Sequence, residues 1–346
     1  MHLAALGFIF VLLLSGCTEP EPTKQTEPPF DRSQIVTVIA ELKQQADTTQ
    51  ADLQHEVQSL NSVGQAFLES PTPESLATLR SQWQRTHLSY ARAQFGFLLN
   101  DPAFRGLVFR IDAWPIQPGF IDNLPLYPES GIIHDETLVL SAETLIQQHG
   151  ITDEEEVALG FHSIEYLIFS RPLSDFQLNS EAAGIERRRL FLALALNQLE
   201  VDTVSLLEAC RDQFNASDYP AAVATLQDFL TSSLQKIRVA FRESNLVTTE
   251  DSGHSTFSNT SLETVKAEVT ALEAFMLGEV RMGPILEQID PNAYANLQAT
   301  LAELRQLAAE SEQDEVSRAN LPLLLSAITH QLEAFDRMLA HKLPTN

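Results

Sequence analysis

One stripe constrains this chain more than anything else in it: Ile35, Ile39, Leu42, Ala46, Thr49, Leu53, Val57, Leu60, Gly64 and Phe67 recur at spacings of three and four residues. That rhythm places all of them on one side of an α-helix and spreads them over both faces of a strand, so it requires a long helix that buries one side. A helix of this kind needs neighbours of the same kind. The sequence supplies them. Thr72-Pro73 caps a second helix striped by Leu76, Leu79, Trp83, His87, Tyr90, Gln94 and Phe97, which puts His87 and Gln94 on the buried seam. Further helices are expected from Asp135 to His149, from Thr152 to Phe169, from Glu181 to Phe214, from Pro220 to Asn245, from Thr260 through Met276, from Pro291 through Leu304, and finally up to Leu339. Nothing alternates with period two, so the fold class is all-α. At 346 residues the chain is long for one core. Two helical-bundle domains are therefore expected, 31–178 and 179–346, with the boundary near 172–182. Residues 101–131 break the rhythm with five prolines and three glycines and read as an irregular, aromatic-rich packed cover.

The chemistry concentrates in Gly160-Phe161-His162-Ser163-Ile164-Glu165. Thr152 and Glu155 form an expected capping box for the helix that carries it, with Asp153 and Glu154 adding negative charge at the positive end of the dipole. His162 and Glu165 emerge on one face, one turn apart. In an apolar interior each costs several kcal/mol unless it finds the other, a further polar group or a cation. A structural hydrogen-bonded pair and a metal or substrate site both satisfy that requirement. Gly160 costs ~1 kcal/mol inside a helix and marks a close approach by backbone or ligand. His149, beside Gly150 at the negative end of its helix, reads as a capping residue.

Gly160, His162 and Glu165 reproduce the G-x-H-x-x-E motif of imelysin-like proteins, a bacterial cell-envelope family that includes insulin-cleaving membrane protease and iron-regulated protein A. Three other segments resemble the family. Trp83 to Phe97 is similar to its Trp-x-x-x-Arg…Tyr…Glu-x-Phe segment, with His87 at the usual arginine and Gln94 at the usual acid. Ile111-Asp112-Ala113-Trp114-Pro115 and Phe120-Ile121-Asp122 resemble its Trp-Pro and Ile-Asp elements. Ser255-Thr256-Phe257-Ser258 resembles a turn that precedes a Thr-capped helix. The resemblance implies two related helical bundles, with His162 and Glu165 facing their junction and the His254 loop closing over it. It also implies a divalent-metal site, iron-related, with His162 and Glu165 as ligands. His87 is a third candidate, and Gly160, Gln94, Arg110, Asp112 and His254 line the site. Imidazole plus carboxylate suits Fe, Zn or Mn. Two ligands hold an ion weakly, so His87, His254, Asp112 or another molecule must complete the shell. Arg110 and Asp112 read equally as a loop salt bridge.

Lys and Arg number 22 against 47 Asp and Glu, a net charge of −25, which repels nucleic acid and draws in cations. Residues 3–14 form a short apolar run that ends in Leu14-Ser15-Gly16-Cys17, similar to a bacterial lipobox. The expectation is a signal peptide over 1–16, lipidation at Cys17, and a Pro- and Glu-rich tether over 17–30. That places the protein in the cell envelope, lipid-anchored at the periplasmic face or the outer membrane. Cys210 is left as a buried, inert thiol. Three classes of function remain. One is metal uptake or handling with a transport partner, another a non-enzymatic binding or scaffold lipoprotein whose His-Glu pair is structural. The third, a metallopeptidase, is disfavoured because the helix has no second histidine one turn on.

Overall fold

The structure is a computed structural model that describes residues 32–98, 102–123, 126, 129–247, 253–277, 282–310 and 315–342. The expected signal peptide, Cys17 and the tether lie outside the described residues. All regular structure among the described residues is helical, in the order α1 (Arg32–Glu69), α2 (Pro73–Ala93), α3 (Pro102–Asp112), α4 (Pro118–Ile121), α5 (Ala142–Gln148), α6 (Phe161–Glu165), α7 (Ile185–Cys210), α8 (Tyr219–Val247), α9 (Ser261–Leu277), α10 (Met282–Ile289), α11 (Pro291–Glu310) and α12 (Glu315–Lys342). The stripe that opens the chain is the spine of the fold: Ile35, Leu42, Leu53, Leu60 and Phe67 are all buried. α1 packs on α2, α7 and α8, so helices from both sides of residue 178 share it. α9 reaches across to α2, while α11 and α12 pack on each other and α12 on α8.

The structure corrects the expected elements in four places, each for a local reason. Residues 101–131 are not wholly irregular, because Pro102 sits where a helix tolerates it best, at the start, and the next proline comes only after α3 has ended at Asp112. The helix expected from Asp135 begins at Ala142. Before it, the Asp135 carboxylate accepts from the Thr137 N–H at 3.0 Å and from its hydroxyl at 2.6 Å, a local turn that competes with helix, and Ser141 supplies the true cap to the Thr144 N–H. The box at Thr152 also forms differently. Thr152 donates from its N–H and its hydroxyl to the Glu156 carboxylate, each at 2.8 Å, and the helix starts nine residues later at Phe161. Finally α10, striped by Met282, Ile285, Leu286 and Ile289, is an element the residue spacing did not disclose.

Arginines of α7 fasten the loops over the core. Buried Arg188 donates to buried Asp122 from Nε at 2.7 Å and Nη2 at 2.9 Å, and His134 Nε2 and Arg171 Nε meet the same carboxylate at 2.8 and 3.1 Å. Burial opposes ionisation of Asp122, but Arg188 outweighs it and holds the carboxyl below its usual range. Arg187 donates to the carbonyls of Ile132, Ile133, Asp135 and Leu138, satisfying backbone that has no ladder partner. Cys210 is buried as expected, and burial pushes its thiol up to about 12.

Candidate metal centre

The site is set by one glycine. Gly160 adopts φ +88° at the head of α6, and a Cβ there would lie 2.5 Å from the carbonyl oxygens of both Arg110 and Ile111. The absent side chain lets α6 start hard against the end of α3, which brings His162 onto Asp112. Gly160→Ala is expected to cost about 3 kcal/mol or more through left-handed strain and backbone clash, read as a lower thermal midpoint. A loss under about 1 kcal/mol would show that α6 can back away without penalty.

His162 sits between two carboxylates. Its Nδ1 lies 2.8 Å from Glu165 Oε2, while its Nε2 lies 3.2 Å from Asp112 Oδ1 and 3.1 Å from His254 Nε2. His87 adds a third ring, with Nε2 3.3 Å from the same Asp112 Oδ1. Glu165 has both oxygens engaged, since its Oε1 accepts from the Ser258 N–H at 2.8 Å and the Ser258 hydroxyl at 2.6 Å. The donor atoms of His87, Asp112, His162 and His254 all lie within 4.8 Å of one another. Glu165 stands behind His162 and fixes its ring so that Nε2 faces the group. Trp83 backs the cluster, stacked on His87 at 5.0 Å and donating from Nε1 to the Phe161 carbonyl at 3.0 Å.

Burial would lower the His162 pKa, but hydrogen bonds to Asp112 and Glu165 and their charges reverse that and raise it to about 9. Burial likewise opposes ionisation of Asp112, yet the neighbouring imidazole of His254 and hydrogen bonds to His162 and His87 outweigh it and hold the carboxyl well below its usual range. Burial and the charge of His162 push the His254 pKa well below its usual value. Three Nε2 atoms thus face one carboxylate, and either a proton on His162 or a cation among them neutralises the arrangement. The donor set fits a divalent transition metal.

The other expected site residues divide. Gln94 lines the approach to the cluster and donates to Glu268 Oε1 at 2.7 Å. Arg110 is in a salt bridge, but with Asp202 of α7 rather than with Asp112, through Nε at 3.0 Å and Nη2 at 2.7 Å; Asp112, two residues on, joins the histidines. His149 is the C-cap of α5, as expected, its N–H donating to the Leu145 carbonyl, while its ring works elsewhere: Nε2 lies 3.1 Å from the Phe109 carbonyl and Nδ1 accepts from the Leu159 N–H, with burial lowering its pKa to about 4. Two buried charges near the site were missed, Glu268 and Lys236. Burial, with Asp112's charge adding, raises the Glu268 carboxyl to about 8, and its Oε2 has no hydrogen-bond partner among the described residues. A signal was present, since Glu268 follows Val265 by three residues on the apolar stripe of its helix.

The family model for imelysin matches residues 44–336. Among solved structures the chain is similar to a putative iron-regulated protein A precursor from Parabacteroides distasonis, at 14% identity and TM-score 0.66, covering 92% of this chain and 97% of that one. It is also similar to an imelysin-like protein from Psychrobacter arcticum, at 17% identity and TM-score 0.64, covering 88% and 94%. A comparison with curated proteins finds no match.

Proposed function

Because the chain belongs to the imelysin family, we propose that it binds a divalent transition metal at His87, Asp112, His162 and His254 and serves metal uptake or handling in the bacterial cell envelope. The observation that carries this reading is the convergence of those four donors, contributed by α2, the end of α3, α6 and the loop before α9. Glu165 and Ser258 orient the donors without ligating. The metal is cargo, and iron is favoured by the name of the Parabacteroides neighbour, an iron-regulated protein. The lipobox at Cys17 supports a lipid anchor that holds the site at the periplasmic face or the outer membrane, where a transport protein would receive the ion. Elemental analysis of protein purified without chelator, beside His162→Ala, tests the reading. Stoichiometric metal in the first and none in the second is expected, and equal content in both removes it.

The pH dependence has a definite sign. His162 Nδ1 faces Glu165, so the proton that a metal must displace is the one on Nε2. With its pKa raised to about 9, His162 is protonated below that pH, and apparent metal affinity is expected to rise about tenfold per pH unit up to pH ~9 and then level off. Indicator competition with zinc across that range checks this. A flat profile would show that His162 Nε2 is not a ligand.

A further inference from the structure

Two of the four donors, Asp112 and His254, line a cleft of about 830 Å³. That is far more room than an ion needs and falls within the range of pockets that hold small organic ligands. Asp112 leaves 15% of its side chain accessible and, with His254, lines this cleft, so the cluster opens into it.

Lys236 lines the same cleft. It is buried, donates to the carbonyls of Gln94 and Phe97, and lies 5.7 and 5.9 Å from the ring centres of Phe95 and Phe97. Among the described residues no carboxylate comes within ion-pair distance of it. An ammonium has three donors, and these two carbonyls use two. In a chain with 47 acids to 22 bases, a buried lysine without an acid partner is a costly arrangement that an entering anion would relieve. Burial draws its pKa down to about 7, which an adjacent anion would restore. Exposed Arg105 stands at the mouth, and so do exposed Asp153, Glu154 and Glu155. That acidic rim repels a free polyanion, whereas an anion already chelating a cation arrives close to neutral.

We propose that the cleft holds a small polycarboxylate that completes the coordination of the cation, with Lys236 as its anion clamp, so that the protein takes its metal as an organic chelate. This rests on the metal-binding reading.

Citrate is the probe, titrated calorimetrically into zinc-loaded protein whose metal content is measured first. Wild-type protein is expected to bind citrate, Lys236→Met to bind it at least about tenfold more weakly, and Arg105→Ala about threefold more weakly. Metal uptake without citrate binding, or citrate binding unaffected by Lys236→Met, overturns the clamp and leaves the metal site standing. No metal uptake overturns both. If Lys236→Met does not fold, acetylation of Lys236 in zinc-loaded wild-type protein, read by mass spectrometry, replaces it; citrate is expected to slow the labelling, and an unchanged rate overturns the proposal.

Discussion

Asp112→Asn is expected to keep the fold and weaken metal binding by at least about a hundredfold, more than the loss typical of an outer orienting partner. Asparagine has the same shape, and the side chain is partly accessible, so little packing is lost. What disappears is the single anionic member of the donor group, whose Oδ1 faces both His87 and His162. Three imidazoles then leave a cation in this buried pocket only the Glu165 carboxylate, held behind the His162 ring, as compensating charge. The substitution also removes one of the groups that raise the His162 pKa, so the pH at which affinity levels off is expected to fall with it. Indicator competition with zinc, paired with a thermal melt, reads both effects. Metal binding as tight in the substituted protein as in the parent would reduce the cluster to a hydrogen-bonded polar core.

Asp122→Ala is expected to destabilise the protein by about 3–5 kcal/mol, because it strands the Arg188 guanidinium, which is only 1% exposed, in the core. For a chain of this size that corresponds to a fall in thermal midpoint on the order of 10 °C. His134 and Arg171 lose the same partner, and the loop between α4 and α5 loses its attachment to α7. A fall of less than about 1 kcal/mol would show that Arg188 finds another acid.

The long helices were legible because their apolar stripes exceed anything a turn can imitate: α1, α7 and α8 lie within a few residues of where spacing puts them. Shorter elements were not. Local side-chain bonds decide them, as when Asp135 and Glu156 hold backbone in turns that acid-rich sequence otherwise presents as helix starts. In the site, His162 with Glu165 could be read from their one-turn spacing, and His87 from its place on a buried seam. Asp112 could not be separated from Arg110 by sequence, since both stand near the end of one short helix. The pairing of Arg110 with Asp202 on α7, which spacing does not disclose, leaves Asp112 as the one that faces the histidines. Glu268 and Lys236 escaped because charged residues on an apolar stripe read as solvated until the neighbours that cover them are known.

The donor group draws on positions 87, 112, 162 and 254, which are strangers along the chain. A fragment that begins after residue 87 or ends before residue 254 lacks at least one donor, so on the proposed reading a nascent chain has no complete donor set until the loop before α9 has been made. Under the proposed metal-binding function, capture would begin only once these segments have packed together, and the ion would in turn act as a thermodynamic latch, raising the unfolding free energy by an amount set by its free concentration.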